Sequence, residues 1–104
     1  MNTLQDFKAD LFRTMANPAR IRILEVLREA GSLTVSEIQQ QVGIEAANAS
    51  QHLSIMRARG IVEARREGTS VWYTVPEQAI FDLLDTARAI FEKRLAAQAE
   101  LLEA

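Results

Sequence analysis

Residues 43–62 read GIEAANASQHLSIMRARGIV, and they predict a turn, a helix of about 13 residues and a glycine stop. Apolar residues recur there at helical spacing and indicate one buried face: Ala49, Leu53 and Met56, with Ile55 as a further candidate. The outer face carries short, neutral side chains with hydrogen-bonding groups: Asn48, Ser50, Gln51 and Ser54. A helix exposed only to water is expected to carry Glu and Lys there, because these residues form helices better. Asn and Gln can instead make paired hydrogen bonds to adenine in the DNA major groove. The pattern therefore indicates a DNA-reading helix, and an ordinary amphipathic helix stays open as the alternative.

The charge of the chain is unevenly distributed. The formal net charge of −2 argues weakly against a nucleic-acid partner. Residues 46–75 contain four arginines and two glutamates, so this segment carries a net +2, whereas residues 1–45 carry −1 and residues 76–104 carry −3. The positive segment contains the predicted reading helix, as expected of a DNA-binding surface. A chance difference between segments is the alternative.

Length and composition indicate one globular domain. The chain has 104 residues, of which 48% are hydrophobic and 25% are charged. The core of so short a chain is modest, so we expect part of the apolar surface to be buried by association. No apolar run approaches the ~20 residues of a membrane span, and the first residues lack a signal-peptide pattern, so we predict a cytoplasmic protein. The sequence contains no cysteine, which excludes disulfides, thiolate nucleophiles and thiolate metal ligands.

Three helices are predicted before the reading helix. The first is amphipathic, through Leu4, Phe7, Leu11, Phe12 and Met15. The second runs from about residue 18 to residue 30, begins with an Asn-Pro cap and ends at a glycine. A very short strand is possible at residues 32–33. A capping box then begins a third helix of about eight residues, and Gly43 ends it. Two short helices joined by a glycine-containing turn make a helix-turn-helix.

A β-hairpin and a long helix follow the reading helix. Residues 62–66 and 71–75 predict two strands joined by a tight turn, with Tyr73 facing inward and Trp72 partly exposed. The last helix is predicted from Pro76 to about Leu102, a span of ~40 Å. Its apolar stripe is broken only by Gln98, and a partner helix is its simplest cover. The stripe comprises Ile80, Leu83, Leu84, Ala87, Ile90, Phe91, Leu95 and Leu101 with Leu102. The predicted fold is thus mainly α with a small β-hairpin wing: a winged helix-turn-helix with five helices in the order α-α-α-α-β-β-α.

Three stretches carry a recognisable signature. They are LFRTMANPARIRIL at residues 11–24, SQHLSIMR at residues 50–57 followed by GIV at 60–62, and RREG at residues 65–68 with VWY at 71–73. In this order they resemble the ArsR/SmtB family of bacterial transcriptional repressors. The likeness covers roughly residues 7–75.

The resemblance implies a single winged-helix domain over residues 1–104 that acts as a repressor, binding a pseudo-palindromic operator as a homodimer. It assigns residues 34–60 to the helix-turn-helix, 61–75 to the wing, and 1–16 and 77–103 to dimerisation helices. DNA contacts would fall on Ala47, Asn48, Ser50, Gln51, His52, Arg57, Arg65, Arg66, Thr69 and Ser70. The dimer interface would include Leu4, Phe7, Leu11, Leu84, Ala87, Ile90, Phe91 and Leu95. Ala46 and Ala47 depart from the polar residues often found at this helix start, which leaves the target sequence open. A winged-helix adaptor that binds a protein partner is the rival, and the acidic net charge suits it.

The inventory of reactive side chains argues against a metal site and an active site. His52 is the only histidine, whereas a zinc site needs three or four ligands. Packing behind the reading helix and a phosphate hydrogen bond are its alternative roles. Family members that sense metals use an acidic-and-histidine site on the last helix, but Asp82, Asp85 and Glu92 have no histidine beside them, so a solvated acidic face is expected. We predict no enzyme activity, no cofactor, and no metal or thiol sensing; an organic effector or a protein partner stays open.

Three arginines cluster around the junction of the first two predicted helices: Arg13, Arg20 and Arg22. They could reach DNA phosphates or only solubilise their helices.

Overall fold

The computed structural model describes residues 3–103, and it has five helices and a small sheet. Residues 1, 2 and 104, which fall within the predicted domain and the predicted segment 1–16, lie outside the described part. The elements are α1 (Leu4–Met15), α2 (Pro18–Ala30), β1 (Leu33–Thr34), α3 (Val35–Val42), α4 (Ala46–Ala58), β2 (Glu63–Glu67), β3 (Ser70–Thr74) and α5 (Gln78–Glu103). The winged helix-turn-helix with five helices is confirmed. No helix within residues 3–103 is long and apolar enough to cross a membrane.

The sheet has three strands, in the order β1-β3-β2. The short strand lies at Leu33–Thr34, one residue later than predicted, and pairs antiparallel with β3, Leu33 opposite Tyr73. This pairing ties the hairpin to the segment between α2 and α3. Tyr73 packs against the core and Trp72 is half-buried, as expected from the strand alternation.

Strands β2 and β3 and helix α5 also differ in their bounds from the prediction, and β3 covers Ser70–Thr74 where residues 71–75 were predicted. Strand β2 begins at Glu63, because the Ile61 amide still bonds to the carbonyl of Met56 at 2.9 Å and so belongs to the end of α4. Helix α5 begins at Gln78, two residues after Pro76, and the Ile80 amide bonds to the Glu77 carbonyl at 3.1 Å in its first turn.

Local capping sets the helix starts and stops. The Asn17 side chain accepts bonds from the amides of Ala19 and Arg20 at 2.9 and 3.2 Å, which begins α2. Thr34 and Glu37 form the predicted capping box of α3. Gly43 has a φ of 76°, the left-handed conformation that lets the chain turn from α3 into α4.

The core lies between α2, α3, α4 and the sheet. Its largest fully buried side chains come from the three helices and, in one case, from the loop before β2. They are Ile23, Leu24 and Leu27 of α2, Ile38 of α3, Leu53 and Met56 of α4, and Val62 of the loop. Helices α1 and α5 are peripheral. On α5 only Ile80 is buried, and every residue from 85 to 103 is exposed. The terminal helices therefore have apolar surface that this core does not cover.

Candidate nucleic-acid interface

Helix α4 buries one face completely and exposes the other. Ala49, Leu53 and Met56 are each 0% exposed, so the helix is held rigidly against the core. Ala47, Asn48, Ser50 and Gln51 are all exposed. Glu45 caps the helix in an extended conformation without a side-chain hydrogen bond. The start of α4 thus presents small polar side chains to solvent on a firmly packed backbone.

The turn between α3 and α4 comprises residues 43–45. The amides of Gly43 and Ile44 bond to the Gln39 carbonyl at 2.9 and 3.4 Å, which closes the end of α3. Ile44 packs against the core. The two helices and this short turn form the predicted helix-turn-helix.

His52 lies at the junction of α2 and α4. It is half-buried, and its Nδ1 accepts a hydrogen bond from Arg20 Nε at 3.1 Å. Burial and the neighbouring Arg20 guanidinium lower the pKa of the His52 imidazole below its ordinary value. One ring nitrogen therefore has a structural role. Arg20 does more than solubilise its helix, because this side chain is half-buried and joins α2 to α1 and α4; a phosphate contact by Arg20 stays a prediction.

The wing places two arginines on opposite faces of β2. Arg65 pairs with Glu67 across 3.1 Å on one face. Arg66 lies on the other face and has no ion pair within residues 3–103. At the tip, Thr69 and Ser70 are exposed and line a cleft of about 270 Å³ with Thr34, Val35, Ser36 and Val71. The wing therefore offers hydroxyl groups and an arginine, Arg66, whose charge is not offset by any residue from 3 to 103.

The remaining arginines of the positive segment also differ. Arg59 contacts Asp10 of α1 at 3.6 Å, so part of its charge is offset. Arg57 is exposed and has no ion pair in the described chain. Of the four arginines in residues 46–75, Arg57 and Arg66 make no ion pair with any residue from 3 to 103. The sequence pattern did not distinguish them, because the partner of Arg59 comes from a distant helix.

Known proteins share both the sequence and this arrangement. A family model described as "Helix-turn-helix domain" matches residues 15–65. The uncharacterised HTH-type transcriptional regulator Rv0081 of Mycobacterium tuberculosis is 39% identical over 100 residues, covering 96% of this chain and 88% of that protein. Its crystal structure superposes with a TM-score of 0.84 over 95% of this chain and 99% of that chain.

Two further relatives extend the comparison. The biofilm growth-associated repressor of Xylella fastidiosa is 35% identical over 83 residues, 80% of this chain and 72% of that protein. A Mycobacterium bovis protein, described as a homodimeric winged helix-turn-helix DNA-binding domain and a possible ArsR-family regulator, is 30% identical with a TM-score of 0.79, over 88% of this chain and 84% of that chain. The chain belongs to the ArsR family of winged helix-turn-helix transcriptional regulators. This is a family of DNA-binding repressors and not a class of enzymes.

The ArsR-family regulator exposes large apolar side chains on both terminal helices. On α1, Leu4 is 60%, Phe7 54% and Phe12 55% exposed, and on α5 the values are 49% for Ile90, 64% for Phe91 and 54% for Leu95. Ala87 is also exposed. Two adjoining apolar grooves share Ile21, Leu84 and Ala87, with volumes of about 560 and 300 Å³. The predicted interface list omitted Phe12, although the periodicity of α1 already placed it among the apolar positions.

Two predicted interface residues are already engaged. Leu11 and Leu84 are partly buried and pack against the core of their own chain. A charge at either position would disturb that core as well as any association. Ile90, Phe91 and Leu95 are better probes of the exposed face.

Asp82, Asp85 and Glu92 of α5 are all exposed, as expected of a solvated acidic face, and two of them pair with arginines at the surface. Asp85 accepts two bonds from Arg28 of α2, at 2.6 and 2.8 Å, and the hydrogen bond lowers the pKa of its carboxyl. The Arg28 guanidinium also lies 5.2 Å from the centroid of the Phe81 ring. Glu92 pairs with Arg88 at 2.9 Å. Within residues 3–103, no three acidic or histidine side chains come together as a metal site.

Proposed function

We propose that this regulator represses transcription as a homodimer that binds a pseudo-palindromic operator. The observation that carries the proposal is the start of α4, where exposed Asn48 and Gln51 stand opposite a fully buried face. A recognition helix reads base edges in the major groove with residues near its N-terminus. Asn and Gln amides suit adenine, and the methyl of Ala47 suits a thymine methyl. A chromosomal target also places the protein in the cytoplasm.

Backbone contacts would come from the flanks of α4 and from the wing. Arg57 and Arg66 are exposed and make no ion pair in the described part of the chain, and Ser50, Thr69 and Ser70 supply hydroxyl donors. Contacts of this kind set the register of a protein on DNA and carry most of the salt dependence of binding. Arg65 contributes less in this arrangement, because Glu67 offsets its charge.

The homodimer is supported by the exposed apolar faces of α1 and α5. Phe7, Phe12 and Phe91 are each more than half exposed in the isolated chain. Contiguous apolar surface of this kind usually marks an association site. A symmetric dimer also places two reading helices about one DNA turn apart, ~34 Å, so the chain gains affinity by pairing.

We further propose that the signal for this regulator is neither a metal nor a thiol oxidant. The chain has no cysteine, and its one histidine lies on α4, where Arg20 engages it. Asp85 and Glu92 each pair with an arginine at the surface, and no three acidic or histidine side chains of residues 3–103 come together as a metal site. Transition metals are selected by soft sulfur and imidazole ligands. Three alternatives remain: an organic ligand in the grooves beside Phe91, a protein partner, or control by the expression level of the regulator alone.

The test is an anisotropy titration of two labelled duplexes of equal length and composition. One carries the DNA upstream of the regulator's own gene, and the other is its shuffled sequence. We expect selective binding of the first duplex and a steep fall in affinity with added salt. Equal, weak binding to both duplexes would favour the protein-interaction adaptor, which the acidic net charge suits.

A further inference from the structure

A chain of hydrogen bonds joins the end of α1 to the reading helix through Arg20. Arg20 Nη1 donates to the backbone carbonyl of Thr14 at 3.0 Å, and Arg20 Nε donates to His52 Nδ1 at 3.1 Å. Thr14 is 5% exposed, and the other two residues are half-buried. One guanidinium thus connects three helices: α1, α2 and α4.

The position of Arg20 is set locally. Its amide bonds to the capping side chain of Asn17 at 3.2 Å, so the first turn of α2 fixes where the side chain begins. A guanidinium presents several N–H donors in a rigid plane and can serve two acceptors in different directions. A lysine ammonium has no such planar set of N–H donors and cannot reach both acceptors in the same way. The residue type therefore matters as well as the charge.

The bond from Arg20 defines which nitrogen of His52 carries the proton. Arginine stays protonated, so its Nε is always a donor and the facing Nδ1 must be the acceptor. A neutral imidazole with an acceptor at Nδ1 has its hydrogen on Nε2. Within residues 3–103, Nε2 has no hydrogen-bond partner and no polar side-chain atom is buried without one, so Nε2 reaches solvent. His52 consequently offers one N–H donor from the side of α4.

The location of this donor suits a phosphate. His52 adjoins Gln51 in sequence but lies toward α2, at the flank of the exposed face. Bases lie below the centre of a recognition helix, whereas the phosphates border the groove on either side. We propose that Arg20 is a positioning residue for DNA binding, which holds His52 so that its Nε2–H donates to an operator phosphate. This inference rests on the proposed function of α4.

The electrostatics of the junction support a neutral His52. Burial and the Arg20 charge from α2 both lower the pKa of the imidazole. The element α1 contributes the Thr14 carbonyl, and its nearby carboxylate, Asp10, contacts Arg13 and Arg59 at 3.6 Å each. A proton on Nδ1 would point at the Nε–H of Arg20, so two donors would face each other and the Arg20–His52 hydrogen bond would be lost.

The test compares Arg20→Met with Arg22→Met. Both variants remove one positive charge from α2 and keep an apolar stem, but Arg22 is exposed and makes no ion pair in the described chain. We expect Arg20→Met to weaken operator binding about tenfold, the usual scale of a charged hydrogen bond, and Arg22→Met to weaken it much less. In a double-mutant cycle, Arg20→Met should add nothing once His52→Phe is present.

NMR of the single histidine supplies a readout that a merely structural role would not change. The nitrogen shifts of the wild type should report hydrogen on Nε2 and a pKa below the ordinary value of about 6.5. The pKa should rise in Arg20→Met and stay low in Arg22→Met. If Arg20→Met fails to fold, Arg20→Lys serves instead: it keeps the charge, and with it a lowered His52 pKa, but still loses operator affinity.

Several outcomes would overturn the inference. These are hydrogen on Nδ1 in the wild type, an unchanged His52 pKa in Arg20→Met, and equal operator affinities of the two methionine variants. A wild type that binds no duplex selectively would instead contradict the proposed function, while the histidine tautomer would still be measured in the free protein. The two failures are therefore distinguishable.

Discussion

Helices α4 and α5 expose opposite kinds of surface. Helix α4 buries Ala49, Leu53 and Met56 completely and exposes Asn48, Ser50 and Gln51 near its start, whereas α5 buries only Ile80 and exposes Ile90, Phe91 and Leu95. Polar side chains are stable in water without a partner. The exposed face of α4 therefore needs no covering element and stays available for hydrogen bonds to a ligand. Exposed phenylalanine and leucine are unfavourable in water by about 1.5–3 kcal/mol per side chain relative to full burial. The comparison teaches that the two surfaces suit different partners, and it underlies the proposal that α4 reads DNA and α5 associates with a second chain.

The largest effect is expected on the association face. Phe91→Asp should dissociate the dimer and reduce operator affinity by about 100-fold or more, because the avidity of two linked reading helices is lost. Ala89→Asp is the matched control, since Ala89 is exposed on the opposite side of the same helix. Sedimentation and anisotropy titration measure the two quantities. A wild type that sediments as a monomer at micromolar concentration would contradict the dimer.

Changes on the reading face should have smaller effects and leave assembly intact. Asn48→Ala and Gln51→Ala should each weaken specific binding by roughly 1–3 kcal/mol, through the loss of hydrogen bonds to bases. Both side chains are exposed, so thermal unfolding should be unchanged. Gln78→Ala, which removes an exposed amide from α5, is the control. Full operator affinity in both variants would show that α4 is not the reader.

The wing should change affinity for every DNA sequence by a similar factor. Arg66→Ala should reduce the slope of log affinity against log salt by roughly 0.9, the value for one phosphate contact. Arg65→Ala should reduce it less, because Glu67 already pairs with Arg65 at 3.1 Å. Glu67→Gln should release Arg65 and steepen the slope. Equal effects of the two arginine variants would mean that the ion pair opens on DNA.

The smallest effect on operator affinity is expected from metals and oxidants. Such an agent would have to bind the chain at a site whose occupation changes both the α5 face and the α4 face. Zinc, nickel, arsenite and peroxide at low micromolar levels should leave operator affinity unchanged within about threefold, because the ligands that bind transition metals tightly are missing. Anisotropy titrations with each agent, and after EDTA treatment, measure this. A tenfold loss reversed by EDTA would redirect attention to Asp82, Asp85 and Glu92.

Much of the fold follows from local sequence signals. The cap at Asn17, the capping box of Thr34 with Glu37 and the turn at Gly43 act between residues at most a few positions apart. Such signals depend on the chain alone, and they placed the helix-turn-helix correctly. The apolar spacing of α4 likewise identified its buried face.

The long-range polar contacts were decided only by the tertiary structure. Arg28 meets Asp85 across 57 positions and Arg20 meets His52 across 32, so neither pair forms until the helices pack at a particular angle. The pairing of β1 with β3 has the same origin, since Leu33 and Tyr73 lie 40 positions apart in the chain. Helical and strand periodicity determines which residues share a face, whereas only packing determines which two faces meet. The sequence by itself therefore determined the helix-turn-helix and the polar side chains of α4, and the tertiary structure decided which arginines of residues 3–103 hold the helices together and which make no ion pair there.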